Sequence, residues 1–83
     1  MNTITVVFFA NFKEVTGIKK LELEMPAGAT VGDVKQELLK IYPRLRTHFH
    51  NMSTVVNKHT VILDAETLPD NAELMLMPPL GGG

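Results

Sequence analysis

The 83-residue chain has no cysteine and no tryptophan. The missing cysteine excludes disulfides, thiolate zinc sites and Cys nucleophiles together. It also excludes any side chain that holds sulfur as a persulfide. No charge of one sign dominates: eight Lys and Arg face nine Asp and Glu, for a net −1. The basic residues are scattered, so a nucleic-acid footprint is not expected. Long apolar runs are missing as well. The longest, Ile4 to Ala10 and interrupted by Thr5, is far short of a bilayer span, and no basic start with a cleavage site marks a signal peptide. A cytoplasmic protein with no membrane partner is the expectation. Length adds one more limit: a chain this short makes a single small domain with no room for a deep catalytic cleft.

What is present is strongly patterned. Thr3 to Phe9 is dense in β-branched and aromatic residues and reads as a strand. Period two places Ile4, Val6 and Phe8 on one face and Thr5, Val7 and Phe9 on the other. The first set is uniformly apolar and belongs to the core. The second is half apolar, which a solvated face does not require. Ala10 to Gly17 reads as a loop longer than a tight turn. Ile18 to Met25 then alternates, Leu21, Leu23 and Met25 against Lys20, Glu22 and Glu24, and predicts a half-buried strand in an antiparallel hairpin with the first.

Pro26 to Ala29 breaks that strand and Thr30 opens a helix. Thr30 and Asp33 have capping-box spacing, and an acid in the first turn suits the helix dipole. Val31, Val34, Leu38 and Ile41 follow at helical spacing, with Lys35, Gln36, Glu37 and Lys40 on the outer face. Pro43 ends the helix near Tyr42. Residues 44–51 carry no clear period, and Leu45, Phe49 and Met52 leave a helical turn and an irregular loop under the sheet both open. Short strands are expected over 53–56 and 60–63, about a tight turn at Asn57-Lys58-His59. A turn in which Asn71 can take positive φ precedes the last strand, Glu73 to Met77. There Leu74 and Leu76 share one face and Met75 and Met77 the other. The order predicts a sheet covered on one face by one main helix.

Candidate catalytic residues are few. His48 and His50 have the i, i+2 spacing of two ligands on a strand, but no cysteine or carboxylate cluster completes a metal site. Ser53, Asp64 and a histidine name a triad only on paper, because no nucleophile elbow surrounds Ser53. The terminal glycines do not form a phosphate loop, since no helix comes after them. Two other features stand out. If the first and last strands pair, Val7, Phe9, Met75 and Met77 form one apolar patch opposite the helix. Met suits such a surface, unless residues 44–52 fold over it. The second feature is the end of the chain, Pro78-Pro79-Leu80-Gly81-Gly82-Gly83. The Pro pair is stiff, lacks backbone donors and projects the last four residues in extended form. Three glycines let a narrow channel close on backbone alone and present a carboxylate open to activation as an acyl-adenylate. The alternative is a linker or foreign remnant, for which Gly-rich ends are common.

Val7-Phe8-Phe9-Ala10 with Phe12, Glu14 and Gly17, then Val56-Asn57, then Leu68, Asp70 and Glu73, and finally Pro78-Pro79-Leu80-Gly81-Gly82 resemble the small subunit of molybdopterin synthase across essentially the whole chain. Leu76-Met77 stands where that family usually has an aromatic pair, Asn71-Ala72-Glu73 where Gly-Asp-Glu is frequent, and a third glycine is added to the usual two. The resemblance implies an α+β, ubiquitin-like β-grasp fold: one domain over residues 1–79 and a flexible tail over 80–83. It implies a sulfur carrier for molybdenum cofactor biosynthesis and not an enzyme by itself. An adenylating partner related to ubiquitin-activating enzymes would use ATP on the terminal glycine, sulfur would replace AMP, and the resulting thiocarboxylate would enter the large synthase subunit, where the catalytic residues lie. The implied site residues are Gly81, Gly82 and Gly83, with Gly83 the point of attachment, or Gly82 if Gly83 is foreign. Partner contacts fall to Val7, Phe9, Met75, Met77, Pro78, Pro79 and Leu80. No bound cofactor and no metal are implied. The same features leave room for a sulfur carrier of thiamine or another thio-cofactor, for a ubiquitin-like modifier, and for an interaction domain with an inert tail.

Overall fold

The β-branched opening of the chain forms an interior strand of a five-stranded sheet. A computed structural model describes residues 1–50, 52–61 and 63–78. In it β1 (Asn2–Phe8) lies between two neighbours: β2 (Lys20–Met25), antiparallel, and β5 (Glu73–Met77), parallel. Beyond β5 run β3 (Ser53–Val56), antiparallel to it, and the edge strand β4 (His59–Val61), so the order is β2-β1-β5-β3-β4. This mixed sheet, crossed by one main helix, is the ubiquitin-like β-grasp that the resemblance implies.

The helix is α2 (Val31–Ile41), and its start is built as the sequence predicts. Thr30 Oγ1 accepts from the Asp33 N–H at 3.2 Å, and the Asp33 carboxylate accepts from the Thr30 N–H at 2.9 Å. The Val31 and Gly32 N–H groups donate to the carbonyls of Glu66 and Asp64, so each of these first-turn donors is paired. Val31, Val34 and Leu38 are fully buried against Ile4, Val6, Phe8, Leu74 and Leu76 of the sheet. Ile41 departs from the predicted apolar stripe: it is 43% exposed. The chain turns at Pro43, and Tyr42 takes the inward place instead, its ring edge-on to Phe8 at 6.2 Å.

One segment read as a loop and one left open between a helical turn and a loop are both helical. Ala10–Thr16 forms α1, which buries Phe12 and ends on Gly17 at φ +77°. Left-handed backbone at a helix C-terminus is where glycine is favoured. Pro43–His48 forms a 3₁₀ turn that buries Leu45, with Phe49 and Met52 packed on the core. The predicted turn residues behave as chemistry requires, with Asn57 at φ +48°, Lys58 at +71° and Asn71 at +62°. Asn71 donates to the Thr3 carbonyl, and Asp70 accepts from the Thr3 N–H at 2.8 Å. These bonds fix where β5 starts beside β1. Among the described residues no helix is long and apolar enough to cross a membrane.

Candidate functional site

Because side chains alternate along a strand, register alone decides what the outer face presents. Val7 stands opposite Met75 on β5, Met75 opposite Val55 on β3, and Ser53 opposite Met77. Phe9 continues the parity of Val7 one step past β1, and its N–H donates to the Leu76 carbonyl at 3.1 Å. The five residues Val7, Phe9, Val55, Met75 and Met77 therefore form one apolar patch on the face away from α2. None belongs to the core cluster beneath α2 among the described residues, although Val7 and Val55 are buried.

The patch has a graded surface. Val7 is only 3% exposed and Val55 9%, whereas Phe9, Met75 and Met77 are half-buried and Pro78 is exposed. Val7 and Val55 are its floor, and the longer side chains are what a partner can touch. The anchoring side chains of residues 43–50 and 52 do not cover it. Leu45, Phe49 and Met52 pack on the opposite side, with the core. Of the predicted site residues the structure brings together Val7, Phe9, Met75, Met77 and Pro78. Pro79, Leu80, Gly81, Gly82 and Gly83 lie outside the described residues.

Val55 was not singled out by sequence. Its parity against Thr54 and Val56 is legible, but its membership of the patch depends on β3 lying beside β5, a pairing that no local pattern announces. The same pairing turns Thr54 inward, where it is a buried polar residue opposite Leu76.

The other candidates are dispersed. Nδ1 of His48 lies 2.9 Å from the Asn11 side-chain nitrogen, and its ring stands edge-on to Phe12 at 5.8 Å. His59 is on the edge strand β4, and Asp64 is held by Lys35 at 2.6 Å. Ser53 starts β3 beside the patch. No group of three His, Cys, Asp or Glu residues among the described residues has metal-binding spacing. What the geometry offers is a contact face running directly into the last strand and Pro78, from which residues 79–83 continue.

Comparison with known proteins agrees over nearly the whole length. The ThiS family model matches residues 6–83. The chain is 31% identical to the molybdopterin synthase sulfur carrier subunit of Chlamydomonas reinhardtii, over 96% of this chain and 98% of that one. It is 30% identical to the protein of the same name from Mycobacterium tuberculosis, over the full length of both. Among solved structures it superposes on a candidate subunit 1 of a molybdopterin converting factor from Pyrococcus furiosus with a TM-score of 0.87 at 25% identity, over 96% of this chain and all of that one. It superposes on the small archaeal modifier protein 1 of Haloferax volcanii with a TM-score of 0.84 at 26% identity, over 99% and 100%.

Proposed function

The chain belongs to the ThiS family, and on that premise we propose that it is the sulfur carrier of a molybdopterin synthase, a protein substrate and small subunit whose terminal glycine is the working group. The observation that carries this reading is the continuity between the outer apolar patch and the end of β5. A partner seated on Phe9, Met75 and Met77 has Pro78 under its edge and residues 79–83 within reach of its interior.

The chemistry comes from the residue types. Glycines at 81, 82 and 83 have no side chain to exclude from a narrow channel. The Gly83 carboxylate attacks the α-phosphate of ATP in an adenylating partner, pyrophosphate leaves, and an acyl-adenylate forms. A sulfur nucleophile then displaces AMP, and the chain end carries sulfur as a thiocarboxylate. A chain with no cysteine needs this route, because no side chain of its own can hold the sulfur. The large synthase subunit would supply the catalytic residues and receive the tail. The names of the curated relatives support this assignment.

The test is intact-protein mass spectrometry after incubation with an adenylating partner, ATP and a sulfur donor. Replacement of one oxygen by sulfur at the C-terminal residue is the expected result. An unchanged mass with a partner shown to be active on another carrier would overturn the reading. A second reading, conjugation to other proteins, draws support from the likeness to a small archaeal modifier protein. Reductant-resistant, slower-migrating species on denaturing gels would favour it over thiocarboxylate carriage.

A further inference from the structure

The charged residues are sorted by position along β1. Six of the eight cations, Lys13, Lys19, Lys20, Lys40, Arg44 and Arg46, lie toward the end of the sheet at which β5 finishes. The carbonyl of Lys19 accepts from the Phe8 N–H, and Lys20 stands opposite Val7. Lys13 is on α1, which starts immediately after Phe9. Lys40 is in the last turn of α2, and Arg44 and Arg46 are on the adjoining 3₁₀ turn. That turn is tied to α1 through Asn11 and His48, and the chain then enters β3 at Ser53, opposite Met77.

The acids collect at the other end. Glu73 starts β5, Asp70 binds the Thr3 N–H, and Glu24 stands opposite Thr3 with Glu22 one step along its face. Asp33 caps α2, and the loop bearing Asp64 and Glu66 feeds its carbonyls to the same helix end. Glu14, beside Lys13 on α1, and Glu37, paired with Lys40 at 3.8 Å, stand apart from this group and offset part of the positive end. Of the two remaining cations, Lys35 is neutralised by Asp64, and Lys58 sits on the β3–β4 turn at the acidic end. Lys13, Lys19, Lys20, Arg44 and Arg46 are exposed, and among the described residues none of them forms an ion pair. A chain of net charge −1 is thus positive where its tail leaves the sheet and negative at the far end.

We infer that the cleft of the adenylating partner that accepts the tail is rimmed by acidic side chains, and that Lys13, Arg44 and Arg46 steer that end of the carrier toward it. This rests on the carrier reading and adds the chemistry of the partner. A polarised charge distribution orients a diffusing molecule before contact, and complementary fields raise the association rate more than they slow dissociation. Leading with the positive end, the carrier would be repelled by a cation-lined mouth and drawn by an anionic one.

The experiment compares two substitutions of equal charge change at opposite ends, Arg46→Glu and Lys58→Glu. Association with the adenylating partner is measured by stopped flow between about 10 mM and about 0.1 M salt, over which the screening length falls from roughly 30 to roughly 10 Å. At low salt Arg46→Glu is expected to slow association by about fivefold with little change in dissociation, an effect that fades at high salt, whereas Lys58→Glu stays within about twofold. Lys13→Glu repeats the first arm from a different element, and matched thermal midpoints confirm folding. Equal slowing by both substitutions, or rates indifferent to salt, overturn the inference while thiocarboxylate formation by the wild type leaves the carrier reading standing. A wild type that neither binds the partner nor gains sulfur overturns both. In the absence of a partner, poly-glutamate titrated into the labelled chain is expected to shift amides in residues 10–20 and 43–50; shifts centred on the acidic end overturn the inference.

Discussion

Val7 and Met75 face each other across the parallel β1–β5 register, with Val55 next in the row on β3. This row makes both faces of β1 apolar at one end, since Val6 and Phe8 are buried on the inner side. It also explains why the outer face is not uniformly sticky. One step back along the strands the row reads Glu22, Thr5, Glu73, so the apolar area ends abruptly and is confined to the part that adjoins Pro78. Confinement of this kind marks an interaction surface more than a packing defect.

The gradient of burial across the patch separates binding from stability. Met77 and Phe9 are half-buried, so Met77→Glu or Phe9→Glu places a charge where water still reaches it. Binding to the adenylating partner or the large subunit is expected to fall by tenfold or more, on the order of 1.4 kcal/mol or above, with a smaller loss of stability. Val7→Glu is the contrast. At 3% exposure an unpaired carboxylate there is expected to cost on the order of 3 kcal/mol of folding free energy. Calorimetric binding alongside thermal melts distinguishes the two. Collapse of the fold in Met77→Glu would mean that the outer face is core.

Backbone strain sits at two points, one beside the same patch and one at the far end of β3. Ala10 has φ +50° directly after Phe9, and Lys58 has φ +71° in the β3–β4 turn after Asn57 at +48°. A Cβ in left-handed backbone costs roughly 1–2 kcal/mol, and glycine avoids this at the expense of roughly 0.5–1 kcal/mol of unfolded-chain entropy. Asn-Gly is the pair that a two-residue hairpin turn of this hand prefers. Ala10→Gly and Lys58→Gly are each expected to raise stability by about 0.5 kcal/mol, a shift of about 2–4 °C in Tm for a domain of this size. A lower Tm for either would show that the left-handed conformation is not held in solution.

Much of this architecture was legible because it is written locally. The alternation in Lys20–Met25, the Thr30/Asp33 cap and the positive φ at Asn71 each depend on residues within a few positions of one another, and all three stand in the structure. α1 was missed because seven residues supply little periodic signal, and only Phe12 among them is fully buried. The 3₁₀ turn at Pro43–His48 was legible only as one of two readings, because one buried side chain, Leu45, holds it in place. For the site, parity located Val7, Phe9, Met75 and Met77, but Val55 and the sorting of charge along β1 are products of strand order. Residues far apart in sequence, such as Lys19 and Arg46, come to the end of the sheet at which β5 finishes only once β5 is inserted between β1 and β3.

The capping box at α2 is the next point at which a local feature has a measurable weight. Thr30→Ala removes the acceptor for the Asp33 N–H and leaves the reciprocal bond from the Thr30 N–H to Asp33 in place. The loss is expected to be about 1 kcal/mol. Because Val31 and Gly32 are still satisfied by the carbonyls of Glu66 and Asp64, the helix itself is retained, and circular dichroism at room temperature is expected to be unchanged while Tm falls. Sulfur transfer is expected to be unaffected, which makes this substitution the stability control for every patch and tail variant.

The tail separates fold from function most cleanly. Every residue of the core cluster among the described residues lies at or before Leu76, and a glycine has no side chain to add to a core. Deleting Gly82 with Gly83, or adding one residue after Gly83, is expected to leave Tm within about 1 °C of the wild type, a change of a few tenths of a kcal/mol or less. Under the carrier reading both variants are expected to abolish thiocarboxylate formation, because the adenylated carboxylate must reach one point in the partner. Binding through Phe9, Met75 and Met77 is expected to survive in the extended variant, since those side chains stay on the sheet. Deleting Gly83 alone decides which glycine is native to the chemistry. Retained activity assigns the thiocarboxylate to Gly82 and makes Gly83 dispensable; lost activity assigns it to Gly83. Full sulfur transfer by the extended variant, without prior trimming of the added residue as read by mass, would refute terminal activation.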